Sequence, residues 1–200
     1  FVEKGVMQQL ARSLHNSSTQ LIGRRSISRG ALSGGFSEEA LRCWAQNHWR
    51  DHQDEPYVDL FGSRLTRGCS LWLDSHQHPC NELAHAFFGS ARFAPERLLM
   101  TPFMTTYMRL PDTFILGKRF LFWTVVVNAP HEIILTWQGG NLQGATMMSF
   151  DPRLQRVYHG NCLVGIPPSS ALIELHRFYA QFLLEGMVHR LEKKSNGAVL

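Results

Sequence analysis

The stretch SSALIELHRFYAQFLLEGMVHRLEKK, residues 169–194, is the longest clean amphipathic segment of the chain and follows everything it could pack against. Pro167 and Pro168 end whatever strand precedes it, Ser169 or Ser170 supplies an N-cap, and Asn196-Gly197 supplies a stop signal. At helical spacing Leu172, Leu175, Tyr179, Phe182, Leu183 and Met187 form one apolar stripe, with Glu174, Arg177, Gln181, Glu185 and Glu192 opposite. Such a stripe needs a surface to cover, and the text just upstream is strand-like.

From Thr113 onward the apolar period changes from helical to that of strands. Residues 114–116, 120–128, 132–138, 145–151 and 154–163 read as successive strands, rich in aromatic and β-branched side chains. Ala129-Pro130, the glycine-rich loop 139–144 and Pro152-Arg153 turn the chain between them, which makes neighbours antiparallel. Earlier in the chain, Ser37 opens a short helix with Leu41, Trp44, Ala45, His48 and Trp49 at helical spacing. Residues 51–56 form a polar linker and 57–65 a first strand. Residues 71–79 read as a loop, and 82–88 and 95–108 as two helices, the second interrupted at Pro102. The order is strand, two helices, a meander of strands and one long helix.

That order resembles the helix-grip fold of the START and Bet v 1-like superfamily (SRPBCC). The pieces PYVDLFGSRL, LAHAFFGSARFAPERLL, FLFWTVVVNAPHEIILTW and HRFYAQFLLEGMVHRL are similar to an uncharacterised domain-of-unknown-function family of that superfamily, found in bacteria alone or beside an NAD-dependent epimerase-like domain. The resemblance covers residues 57–194 and implies an α+β domain whose curved antiparallel sheet wraps a long C-terminal helix. It brings no catalytic residue with it. These 200 residues depart from the family's pattern by carrying no dinucleotide segment and by a basic extension.

Composition fits a chain with a real core, with 44% hydrophobic and 18% charged residues. The net charge of +4 sits at one end: Arg12, Arg24, Arg25 and Arg29 occur between Met7 and Gly35 without an acid or lysine, and the remainder sums to zero. A neutral body without a basic stripe argues against binding a nucleic-acid backbone. Residues 1–35 have the composition of an organelle transit peptide, mitochondrial before plastid, the alternative being a disordered basic leader. Phe1 to Val6 precede the first methionine. Residues 36–56 are then helix and linker, 57–194 the domain and 195–200 a tail. The longest apolar run, residues 120–127, is far short of the roughly 20 residues a membrane helix requires. Cys43, Cys69, Cys80 and Cys162 are widely spaced and read as reduced, packed thiols.

Turn lengths fix which side chains face the closing helix. If Asn128 pairs with His131, one face collects Phe122, Thr124, Val126, Ile133, Leu135 and Trp137, and the later turns add Thr146, Met148 and Phe150, then Val157, His159 and Asn161. A row Phe122, Trp137, Thr146, His159 then crosses the sheet, and the helix presents His176 beside Tyr179. The resulting ligand-binding set is Phe122, Trp137, Thr146, Met148, His159, His176, Tyr179 and Leu183. The plain alternative makes the imidazoles and Tyr179 hydrogen-bonded members of a filled core. Asp74, His76, His78 and Cys80 in DSHQHPC lack a zinc-type spacing, GGNLQG lacks the ending of a phosphate loop, and no GxSxG or Cys-His signature occurs. No metal, cofactor or catalytic residue is therefore assigned.

Three functions fit this scaffold. The first is a carrier or sensor holding a small hydrophobic molecule such as a lipid, isoprenoid or aromatic. The second is a cyclase- or dehydratase-like enzyme in which His159 or His176 moves a proton. The third is an assembly protein with a filled core that docks a protein partner through the Trp44/Trp49 helix.

Overall fold

The computed structural model describes residues 38–49, 56–95, 110–120, 122–139, 142–165 and 171–198. Helix α1 (Glu38–His48) leads into strand β1 (Tyr57–Arg64), and helices α2 (Arg67–Asp74) and α3 (Pro79–Gly89) follow, with a 3-10 turn at Ala91–Phe93. Strands β2 (Arg119–Phe120), β3 (Trp123–Ala129), β4 (Glu132–Gly139), β5 (Leu142–Asp151) and β6 (Arg156–Val164) precede helix α4 (Ala171–Ala198). The six strands form one curved antiparallel sheet in the order β1-β6-β5-β4-β3-β2. This is the α+β, helix-grip-like layout expected from the order of elements. The basic leader 1–35, the serine cap at 169–170 and most of the 95–108 helix lie outside the described residues.

One face of the sheet packs against α2, α3 and α4. Its core combines Ile133, Leu135, Met148, Phe150 and Val157 of the sheet with Leu83, Phe87 and Phe88 of α3 and Leu183, Leu184, Met187 and Leu191 of α4. The buried stripe of α4 also takes in Ile173 and Ala180, while Leu175, Tyr179 and Phe182 sit half-buried at its flank. The charged residues Glu174, Arg177 and Glu185 are exposed, as their spacing predicts. Asn196-Gly197 does not stop the helix, which runs on to Ala198 because its last turns are docked: Leu191 and Ser195 are buried.

Polar clasps hold α4 against the helices before it. The Glu192 carboxylate accepts hydrogen bonds from Thr66 N at 2.8 Å and Thr66 Oγ1 at 2.6 Å, and Thr66 Oγ1 in turn caps α2 by accepting from Cys69 N at 3.3 Å. Lys194 Nζ meets Glu82 Oε2 at 2.7 Å, Arg190 donates to the Gly89 carbonyl, and Arg92 reaches Glu185 while lying over the Phe182 ring. The capped α2 replaces the loop expected from residue 71: its outward Leu71 is 61% exposed, so no apolar period marks the segment as helical. Residues 114–116 are likewise not a strand. Phe114 gives its N–H to Asn81 Oδ1 and its carbonyl accepts from Asn128 Nδ2, which uses the groups a ladder would need.

The register corrects one face. The β3–β4 turn is Pro130-His131, with Ala129 opposite Glu132, one residue later than expected. That shift moves partners by two and leaves the faces unchanged. A bulge between Val125 and Val127 adds one residue and inverts what precedes it, so Trp123 and Val125 face the helices while Val126 packs on the other side. Phe122, Thr124 and Val126 therefore do not make the core-facing row of β3. The β5–β6 connection is longer than two residues, with Asp151 opposite Arg156. This too is a shift of two, and Val157, His159 and Asn161 keep the face assigned to them.

The opposite face of the sheet is covered by α1. Leu41 and Ala45 are buried against Val58, Ile134, Ala145, Met147 and Cys162, with Trp44 and Trp49 partly buried beside them. The two tryptophans thus spend much of their surface on the sheet. Cys69, Cys80 and Cys162 are buried free thiols.

Gly144 lies in β5 opposite Trp137, not in a loop; the β4–β5 connection shortens to residues 140–141, outside the described residues. A Cβ at Gly144 would meet the Trp137 ring at 2.5 Å and the Cys162 carbonyl oxygen at 2.8 Å. Gly144→Ala is expected to destabilise by about 1–3 kcal/mol. Adding Trp137→Leu in the same chain should recover part of the loss in urea unfolding, and no recovery would place the strain in the backbone instead.

Candidate functional site

Alternation along β1 sends Tyr57, Asp59 and Phe61 toward α4. Asp59 stands opposite Asn161 on β6, which stands opposite Thr146 on β5 and, beyond it, Leu135 on β4. Asn161 Nδ2 donates to Asp59 Oδ1 at 3.1 Å, and the Tyr57 hydroxyl donates to Asp59 Oδ2 at 3.2 Å. A carboxyl group 6% exposed is thereby held in place by two neutral donors. Burial pushes its pKa up to about 6, and the two donors, with Arg177 nearby, oppose that rise.

His176 on α4 brings its Nε2 to 3.8 Å from Asp59 Oδ2. By distance this is an ion pair, but burial holds the imidazole down at about 4. Asp59 therefore gains its proton before His176 does as pH falls, so above pH 6 the contact joins a carboxylate to a neutral ring. At 3.8 Å it is also longer than a hydrogen bond. His176 Nε2 is buried and has no hydrogen-bond partner among the described residues.

His159 lies one register step further along β6, opposite Phe61 on one side and Met148 on the other. Its Nδ1 is 3.1 Å from the carbonyl oxygen of Ala180, one helical turn after His176. The ring is 1% exposed and packs at 4.8 Å from that of Phe87. Burial chiefly, then the neighbouring His176, lowers its pKa to about 3 against the Ala180 carbonyl, which favours the charged form. Its Nε2 also lacks a hydrogen-bond partner among the described residues.

The candidate residues thus divide in two. Met148 and His159 are register partners on β5 and β6, Thr146 stands opposite Asn161 on the same face, and His176 comes from α4, which crosses β6 and β1, with Leu183 buried and Tyr179 half-buried on that helix. Trp137 lies two strands from β6, and Phe122, half-buried in the turn before β3, stacks on Trp123 at 3.8 Å. The single row from Phe122 to His159 does not form: Thr146 pairs with Asn161, and His159 with Met148. Asp59 and Tyr57 are not among the residues expected to line the site from the sequence. The available signal was an acid on the same alternation as Phe61, flanked by the apolar Val58 and Leu60.

Comparison with protein-family models and with curated proteins finds no match to this chain. Among the described residues no group of three or more His, Cys, Asp or Glu is placed to hold a metal. Cys80 is buried in α3, whereas Asp74 and His78 are exposed. No described helix is long and apolar enough to cross a membrane.

Proposed function

We propose that the chain is a carrier or sensor for a small hydrophobic molecule, a lipid, isoprenoid or aromatic, held between the sheet and α4. The observation that carries this reading is the pair of buried imidazole nitrogens, His159 Nε2 and His176 Nε2, which have no hydrogen-bond partner among the described residues at the sheet–helix boundary. An unmet buried polar atom costs about 1–3 kcal/mol, and folded chains leave few such atoms. Apolar walls with a few convergent polar groups are what a small-ligand site requires. Asp59, Asn161 and Tyr57 supply further polar groups beside the imidazoles.

A second reading is an enzyme of cyclase or dehydratase type. It is favoured by Asp59, whose proton is exchangeable near neutral pH and which faces His176 at 3.8 Å. Native mass spectrometry of protein purified from its own host is expected to show a retained apolar molecule that organic extraction releases. Protein that carries no such mass, and that binds no apolar probe afterwards, would reject the carrier reading. Recovery of a chemically altered molecule after incubation with the extracted compound would favour the enzyme.

A further inference from the structure

The hydrogen bond between His159 and α4 fixes the state of the ring. A carbonyl oxygen only accepts, so the proton of the neutral imidazole sits on Nδ1, which donates to Ala180 O at 3.1 Å. Nε2 is consequently a bare lone pair. It is fully buried, and its neighbours in register, Phe61 and Met148, together with the Phe87 ring, have no proton to offer it. Among the described residues, what the position lacks is a hydrogen-bond donor, not an acceptor and not a charge. On the same side stand His176, neutral, and the Asp59 carboxyl, already supplied with donors by Asn161 and Tyr57.

We infer that the molecule bound by this chain is an alcohol or phenol, its hydroxyl donating to His159 Nε2 while its apolar body lies between the sheet and α4. The inference rests on the carrier reading above and names the chemical class that reading leaves open. Hydrocarbons, ethers, esters and ketones have no hydrogen to give. A carboxylate likewise brings only acceptors, and it would sit near the Asp59 carboxyl, where the cation at hand among the described residues is Arg177, whose side chain is 52% exposed and not buried beside them. His176, whose side chain is 25% exposed, stands toward the solvent side of His159 and marks the end at which the hydroxyl-bearing part lies closest to water.

The test pairs each alcohol with its methyl ether: 2-naphthol with 2-methoxynaphthalene, and dodecan-1-ol with 1-methoxydodecane. Binding to the full chain is measured by calorimetry, and the His159 ring nitrogens are followed by nitrogen-15 NMR. At least one alcohol is expected to bind about tenfold or more tightly than its ether, with the Nε2 resonance moving upfield as it accepts the hydrogen bond. His159→Phe should abolish that preference. Equal affinities of alcohol and ether, a preference that survives His159→Phe, or an Nε2 resonance unmoved at saturation with alcohol would each overturn the inference while leaving the carrier reading in place. Failure of all four compounds to bind would overturn the carrier reading and this inference with it.

Discussion

Phe88→Ala is expected to lower stability by about 3–5 kcal/mol. The Phe88 ring is surrounded by aromatic partners: Trp123 at 4.9 Å, Phe87 at 5.1 Å, Phe93 and Phe120 at 5.2 Å, and Phe114 at 6.0 Å. These come from α3, the 3-10 turn, the segment before β2, and β2–β3, so no single element can shift to fill the space left behind. Rings are also stiff, and the cavity would persist rather than collapse. Urea unfolding at neutral pH reads the loss directly. A cost near 1 kcal/mol would mean that the aromatic cluster repacks as a liquid would, against the close packing expected of an interior.

Acidification is expected to produce the second large effect. The unfolded chain protonates His159 and His176 near 6.5, whereas burial in the fold keeps the two rings neutral down to about 3 and about 4. Between pH 6.5 and 4 the unfolded state therefore binds two more protons at these positions, and stability falls as pH falls. Asp59 acts in the other direction. Its carboxyl takes a proton near 6 in the fold but at 3.8 when free, so the folded state gains one proton over the window from about 6 to 4. Glu132, also raised by burial, sides with Asp59, and His48, lowered by burial, sides with the other two histidines. Two imidazoles against one carboxyl leave a net loss of roughly 4 kcal/mol between pH 6.5 and 4. Asp59→Asn should steepen the decline by removing the opposing group, and His159→Phe should flatten it. Stability that stays level from pH 7 to 4.5 in the unaltered chain would show that the imidazoles are charged or hydrated in the fold.

The long helix and the meander were legible because their periods are unbroken over many residues, and their order alone implied a sheet closed by a helix. The face of β3 was not, because the bulge at Val126 is a single extra residue with no glycine or proline to announce it. His159 was placed correctly although the turn before β6 is longer than expected, since an error of two residues preserves alternation. Asp59 was hidden for a different reason. With α1 on one side and α2 to α4 on the other, both faces of the sheet are apolar, and Val58 is as buried as Phe61. Where neither face meets water, alternation of polarity no longer tells inside from outside, and an acid reads as an outward residue. The unmet nitrogens of His159 and His176 belong to no motif at all, because they arise from the crossing of elements far apart in the chain.

The place of β1 also dictates an order of events in folding. Its partner strand among the described residues is β6, and Tyr57 pairs with Leu163, so the strand emerges from the ribosome about 100 residues before the strand that receives it. At 5–20 residues per second this is a wait of roughly 5–20 s. During that interval the apolar residues of β1 have no ladder to join, and the hairpins from β3 to β5 can zip locally first. Closure of β1 onto β6 is then the late, long-range step that brings Asp59 to Asn161, and the polar group beneath α4 comes into being only with the last pairing of the sheet.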